Sequence, residues 1–205
     1  MREVNQVCRI RLLILLVFAF TASCASIPEL KVSYQLPPAS ALLKGNEVLL
    51  TIKDARSNKE VLGQGAKYEL PDFSGNFSLS VAQHKESEVK AGIYQVPAMM
   101  REGFRRRLEN AGLKLVLKKS RGEPQLLIVL NEFLLDRAGR NWVVKMSYEA
   151  RLVKNGKVLS RENISGDGER YGFAGRGAAE TVLGEIFTDS VNRLDINKLF
   201  QRAGL

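Results

Sequence analysis

The sequence has little of the chemistry on which catalysis and metal binding most often depend. Its 205 residues include one histidine, His84, and two cysteines, Cys8 and Cys24. A lone histidine offers no spacing for a metal centre, and the nucleophile-elbow pattern G-x-S-x-G is absent. The sequence therefore predicts no catalytic residues, no metal and no cofactor, and we expect a protein that is not an enzyme.

No apolar run is long enough for a membrane-spanning helix. Residues 12–20 form a nine-residue run, whereas a transmembrane helix needs about 20 apolar residues. The run follows a basic leader and ends in Thr21-Ala22-Ser23-Cys24, a pattern typical of bacterial lipoprotein signals. We therefore expect residues 1–23 to be a signal peptide and Cys24 to be the site of lipid attachment.

Acyl groups on Cys24 would hold the protein on a membrane. No disulfide would then be possible, because Cys8 lies in the signal peptide. Alanine follows Cys24 where an aspartate would direct retention at the inner membrane. This favours the periplasmic face of the outer membrane, with the periplasmic face of the inner membrane as the alternative. Three prolines in residues 24–46 predict an extended tether, and residues 47–205 predict a single periplasmic domain.

The chain is strongly basic, with a formal net charge of +9. This charge could favour anionic lipid headgroups, lipopolysaccharide phosphates or an acidic partner face, and we expect an envelope protein, lipid or peptidoglycan as partner. Nucleic acid is not expected, because the single tryptophan stands apart from any basic-aromatic pattern. Arg101, Arg105 and Arg106 on one predicted helix form a candidate partner-binding face, unless they are simply solvated. Asp54 and Arg56 could bind a partner or each other.

Two amphipathic helices and several strands set the predicted fold class. Met100, Phe104 and Leu108 form an apolar stripe on a helix over residues 96–111, and a second helix covers residues 178–194. Asp195 is a candidate cap for a last short helix. Predicted strands cover residues 47–53, 113–118, 125–135, 142–153 and 158–164, with a turn at Asn155-Gly156. We predict an α+β two-layer sandwich: a mostly antiparallel sheet with two amphipathic helices packed on one face.

This order of elements resembles the YajG-like family of bacterial outer-membrane lipoproteins. Besides the cysteine motif, the resemblance rests on short segments within residues 46–200. They are Ile52-Lys53-Asp54-Ala55-Arg56, Asn110-Ala111-Gly112-Leu113, Gln125-Leu126-Leu127-Ile128-Val129-Leu130-Asn131, Asn155-Gly156-Lys157 and the closing amphipathic helix. The resemblance implies a sandwich fold and an outer-membrane address, and it implies no particular chemistry.

Two segments have weaker patterns. Residues 54–95 are interpreted as part strand and part mobile flap. Residues 166–177 are rich in glycine and contain Arg170 and Arg176, and they are interpreted as a flexible linker before a helix, with anion binding as the alternative.

The sequence therefore favours a lipid-anchored, non-catalytic binding or scaffolding module, with two alternatives. The first is an auxiliary lipoprotein subunit of a lipid or ABC-type envelope transport system. Met99, Met100, Phe104 and Phe187 would then line an apolar cavity, although they could equally fill the core. The second is a hydrolase acting on peptidoglycan, for which a converging carboxylate pair would be needed. Glu132 and Asp136 share one strand face and are the candidates.

Overall fold

The computed structural model describes residues 29–83, 86–118, 122–171 and 175–205. Residues 1–28, with Cys24, and His84 lie outside this part of the chain, so the predictions made for them stay predictions. The described elements, in chain order, are β1 (Leu30–Gln35), β2 (Glu47–Asp54), α1 (Gln64–Glu69), β3 (Phe77–Ala82), β4 (Val89–Tyr94), α2 (Val96–Asn110), β5 (Lys114–Leu115), β6 (Gln125–Ala138), β7 (Asn141–Lys154), β8 (Lys157–Tyr171), α3 (Arg176–Arg193) and α4 (Ile196–Arg202).

The larger sheet has five strands in the order β5-β2-β6-β7-β8. Strand β2 pairs in parallel with β5 and β6, and the long strands β6, β7 and β8 pair antiparallel. The turn between β7 and β8 is the predicted one, with positive φ angles at Asn155 (51°) and Gly156 (78°). Every second side chain of β7, from Trp142 to Leu152, is buried. The sheet therefore has one apolar face and one face open to solvent.

Helices α2 and α3 both pack on the apolar face of this sheet. The ring of Phe104 in α2 meets that of Tyr148 in β7 edge to face, with centroids 5.3 Å apart. The Tyr148 hydroxyl donates a hydrogen bond to the carbonyl oxygen of Ser190 in α3, at 2.8 Å. Asp195 caps α4, because its carboxylate accepts a hydrogen bond from the Lys198 amide at 2.9 Å. The predicted α+β two-layer sandwich is confirmed.

A second sheet, with strand order β1-β3-β4, changes the predicted boundary of the domain. Strand β1 lies within the predicted tether, and it pairs in parallel with β3 from Leu30 opposite Phe77 onward. Leu30, Val32 and Tyr34 are fully buried and alternate with polar residues. The tether prediction is therefore wrong for residues 30–35, because this short apolar alternation completes a sheet whose other strands come much later in the chain.

Two other segments contain more regular structure than predicted. Residues 54–95, interpreted as part flap, contain α1, β3 and β4. Strand β8 continues to Tyr171, so residues 166–171 are not a linker. A Cβ at Gly166 would lie 2.3 Å from Ser190 Oγ, and one at Gly168 would lie 2.2 Å from Ile186 Cδ1. Both glycines lie under α3 at positions where a larger side chain would collide with the helix.

The five-stranded sheet has two ends that matter for function. The upper end, as we define it, contains the turn between β6 and β7 and residue Tyr171, which pairs with Asn141. The lower end contains the turn between β7 and β8 and the starts of β2 and β6. Because β7 has 14 residues, the two ends are about 45 Å apart at ~3.3 Å per residue.

Candidate partner-binding surfaces

The predicted arginine face on α2 is largely neutralised by its own helix. Arg105 pairs with Glu102 at 2.6 Å and with Glu109 at 2.8 Å, and Arg106 pairs with Glu102 at 2.9 Å. Burial alone would raise the pKa of Glu102, but hydrogen bonds from the two arginines hold it below its ordinary value. Within the described residues, Arg101 alone of the three arginines is exposed without an ion pair. Partner binding at this face stays a prediction, with one free cation to support it.

Asp54 and Arg56 bind each other at the end of β2. The Arg56 guanidinium donates to both carboxylate oxygens of Asp54, at 3.0 Å each, and Lys59 Nζ lies 3.0 Å from the same carboxylate. Arg56 is only 6% exposed. The hydrogen bonds from Arg56 hold the pKa of Asp54 well below its usual range. Of the two readings that the sequence left open, the internal pair is the one the structure shows.

The carboxylates considered for hydrolysis have different surroundings. Asp136 Oδ1 accepts hydrogen bonds from the amides of Gly65 at 3.1 Å and Ala66 at 3.2 Å, at the start of α1. Glu132 is exposed on the open face of the sheet. Asp136 thus stabilises the first turn of a helix, a role that sequence reasoning missed because those amides lie about 70 residues earlier in the chain. Among the described residues, no cluster of three or more His, Cys, Asp or Glu side chains could bind a metal ion.

The residues considered as the lining of a lipid cavity fill the core. Met99, Met100, Phe104 and Phe187 are fully buried. The Phe187 ring meets that of Tyr34 edge to face, with centroids 5.6 Å apart. A Cβ on Gly103 would lie 2.7 Å from Phe187 Cζ, which shows how closely α2 and α3 approach. The cavity expectation is therefore wrong for these four side chains, because the helices and β1 close over them.

Helix α3 covers the free edge of β1, a contact that the sequence analysis missed. Glu180 Oε1 accepts a hydrogen bond from the Lys31 amide at 3.0 Å, and Asn192 Nδ2 donates one to the Gln35 carbonyl at 2.8 Å. A groove of about 700 Å³ lies along this contact. Side chains of α3 in this groove already bond backbone amides and carbonyls of β1. Helix α3 thereby protects the free edge of the second sheet.

The arginines of the glycine-rich segment are also paired. Arg170 lies 2.7 Å from Glu185, and Arg176 lies 3.8 Å from Glu180. These carboxylates reduce the positive charge that an anion at the start of α3 would require.

No helix in the described part of the chain combines the length and apolar character needed to cross a membrane.

The lower end presents exposed aliphatic side chains together with unpaired lysines. Leu117 is 97% exposed, and Leu42, Val158 and Leu159 are exposed as well. Four lysines stand beside them without an ion pair among the described residues: Lys44, Lys118, Lys154 and Lys157. Register places these segments at the same end of the sheet, with β5 and β8 at its opposite edges, because the Val116 amide donates to the Val48 carbonyl of β2 and Val158 pairs with Val153. In the sequence, apolar residues beside lysines in the predicted turns were the signal that could have indicated this surface.

Comparison with known proteins establishes the fold of this chain. No family model matches it, and no curated protein does. It is similar to the crystal structure of protein XCC0632 from Xanthomonas campestris, of family DUF330, with a TM-score of 0.57, 14% identity and coverage of 87% of this chain and 96% of that one. This likeness shows a shared fold alone.

Two further solved structures are more distant. Hypothetical protein CT253 from Chlamydia trachomatis has a TM-score of 0.46 and 11% identity, covering 78% of this chain and 99% of that one. Lipoprotein GNA1162 from Neisseria meningitidis has a TM-score of 0.31 and 16% identity, covering 73% and 97%. The specific resemblance to YajG-like lipoproteins stays a prediction.

Proposed function

We propose that this protein is a lipid-anchored, non-catalytic module of the cell envelope that binds an envelope protein through its lower end. The observation that carries the proposal is the group of exposed aliphatic side chains and unpaired lysines there. Exposed apolar surface bordered by charge is characteristic of interaction sites. The lysines add attraction toward an acidic partner and speed encounter with it.

The anchor is proposed from the sequence, and the side of the domain that it holds is proposed from the position of β1. Cys24 lies five residues before Glu29, the first described residue. Leu30 follows at the start of β1, and the Lys31 amide bonds Glu180 in the first turns of α3. The chain therefore leaves the domain on the side of the upper end. The lower end would point away from the membrane, toward a partner in the periplasm, with the outer membrane as the proposed address.

The non-catalytic part of the proposal is supported by how the candidate catalytic groups are used. Asp136 caps α1, and Asp54 is held by Arg56 and Lys59. Asp136 thus serves as a helix cap, and Asp54 is one half of an internal ion pair. Of the two carboxylates considered for hydrolysis, Asp136 therefore has a structural role, whereas Glu132 is exposed on the open face of the sheet.

Site-specific crosslinking in cells tests the proposal. A photoreactive amino acid replaces Leu117 or Val158 in the full-length protein, and Val89 or Ile93 serves as an exposed control position. We expect one protein adduct, the same from both lower-end positions, that is absent from the control positions and is reduced by Cys24→Ser. Identification of the adduct by mass spectrometry separates a transport complex from other envelope partners.

Charge reversal checks the role of the lysines. Lys154→Glu with Lys157→Glu should reduce the adduct formed from Leu117, whereas Arg101→Glu on the α2 face should leave it unchanged. The opposite pattern would move the binding site to the predicted arginine face. Equal adducts from every position would contradict a specific lower-end surface.

A further inference from the structure

The short distance between the predicted anchor and the domain restricts which surface can face the membrane. Glu29 is five residues after Cys24, and a fully extended chain over five residues reaches about 18 Å. The lower end lies about 45 Å from the upper end, at ~3.3 Å for each of the 14 residues of β7. A domain held by Cys24 can therefore bring its upper end to the bilayer, whereas standing on its lower end, with the upper end about 45 Å away, would need a longer tether.

The upper end exposes two tyrosines on either side of the turn between β6 and β7. Tyr68 on α1 is 87% exposed, and Tyr171 at the end of β8 is 67% exposed. Tyrosine is enriched where a membrane meets water, because its ring is apolar and its hydroxyl is polar. Nη1 of the exposed Arg140 lies 3.2 Å from the Tyr171 hydroxyl. A guanidinium at that position could bind a lipid phosphate.

Both tyrosines stand on firmly held backbone. Asp136 fixes the first turn of α1, and Arg137 of β6 forms an ion pair with Glu69 at the end of that helix. Tyr171 pairs with Asn141 in the sheet. Contacts with the sheet therefore fix where the backbone of both tyrosines lies in the fold.

We propose that the upper end rests in the phospholipid headgroup layer of the same bilayer that holds Cys24, through Tyr68, Tyr171 and Arg140. The inference rests on the proposed lipid anchor and adds a fixed orientation to it. Arg137 and Arg170 at this end are already paired with glutamates. The contact would therefore depend on the two tyrosines and Arg140 rather than on a large positive charge. In this orientation the lysines and aliphatic side chains of the lower end face away from the membrane.

Quenching of introduced tryptophans by brominated lipids tests this orientation. The lipidated full-length protein is reconstituted in vesicles of phosphatidylethanolamine and phosphatidylglycerol with acyl chains brominated near the headgroup. Tyr68→Trp and Tyr171→Trp report on the upper end, and Leu117→Trp and Val158→Trp are the matched exposed positions at the lower end. Trp142 is fully buried and supplies a background measured in the unsubstituted protein. We expect brominated lipid to reduce the added emission at positions 68 and 171 and to leave it unchanged at 117 and 158.

Each other outcome overturns the inference. Quenching at 117 or 158 would place the lower end on the lipid, and no quenching in vesicle-bound protein would show a domain held clear of the surface. Co-flotation is measured in parallel with a Cys24→Ser variant that lacks residues 1–23. If unsubstituted protein floats no better than this variant, the anchor itself fails, and the proposed function fails with it. Thiol labelling adds a second readout, since Arg140→Cys should react with a bulky maleimide more slowly in vesicles than in detergent, and Lys157→Cys should react equally in both.

Discussion

Two leucines in the segment that the sequence assigns to the tether give a direct test of where the folded domain begins. Leu30 is fully buried in β1, and Leu42 is 78% exposed in the turn before β2. Truncating a buried leucine to alanine loses its transfer free energy and leaves a cavity, at a cost of about 2–5 kcal/mol. Leu30→Ala should therefore lower the free energy of unfolding by about 2–5 kcal/mol. Leu42→Ala should change it by less than about 0.5 kcal/mol, as exposed substitutions do.

Urea unfolding followed by far-ultraviolet circular dichroism measures both effects. Each variant is made as residues 24–205 with Cys24→Ser, so that neither acyl groups nor the apolar run of residues 12–20 requires detergent. The dependence of the unfolding free energy on urea should have the same slope in all variants, which makes the midpoints comparable. Two near-zero effects would refute the placement of β1 in the core and restore the tether. Two large effects would show that the turn before β2 is buried as well.

Three further outcomes are expected. Phe104→Ala should lower the free energy of unfolding by about 3–5 kcal/mol in urea titrations, because the ring is in the core. If Phe104 instead lined a lipid cavity, the substitution would change the amount of bound lipid seen by native mass spectrometry, with little loss of stability. Asp136→Ala should cost about 0.5–2 kcal/mol of unfolding free energy through loss of the α1 cap, and Glu132→Ala on the same strand should cost almost nothing; equal costs would contradict the capping role. Because the pKa of Asp54 is lower in the folded protein, its ionised carboxylate stabilises the fold above the unfolded pKa of about 4, and this stabilisation is lost as the pH falls toward the folded pKa. The free energy of unfolding should therefore fall less steeply with decreasing pH in Asp54→Asn. An unchanged pH dependence would show that the pair with Arg56 contributes nothing.

The parts of the fold that could be predicted are those written in local patterns. The stripe of Met100, Phe104 and Leu108 predicts α2 to within a residue or two, and Asn155-Gly156 predicts the turn that sets the register of β7 and β8. Asp195 predicts its cap from position alone. Each of these signals comes from residues close together in the sequence, so it can be recognised without knowing the rest of the fold.

The parts that escaped prediction depend on partners far away in sequence. The apolar residues of β1 become a strand only when β3 and α3 supply the surfaces on both of its edges. Gly166 and Gly168 indicate flexibility when read locally, yet their small size lets α3 lie against β8. Asp136 gains its role from amides of α1. Local patterns can draw attention to such residues, but they do not show the contacts with distant residues that decide their roles.

The candidate sites escaped prediction for an electrostatic reason. The sequence draws attention to clustered charge, as at Arg105 and Arg106, but clusters on a helix are readily neutralised by glutamates one turn away. Among the described residues, lysines without an ion pair remain in or beside turns, as at Lys118 and Lys157 near exposed aliphatic residues. Those turns lie at the end opposite the chain's exit toward Cys24. A module held at one end by lipid can therefore present its uncompensated charge and apolar surface at the other end, which is the arrangement that binding a second envelope component requires.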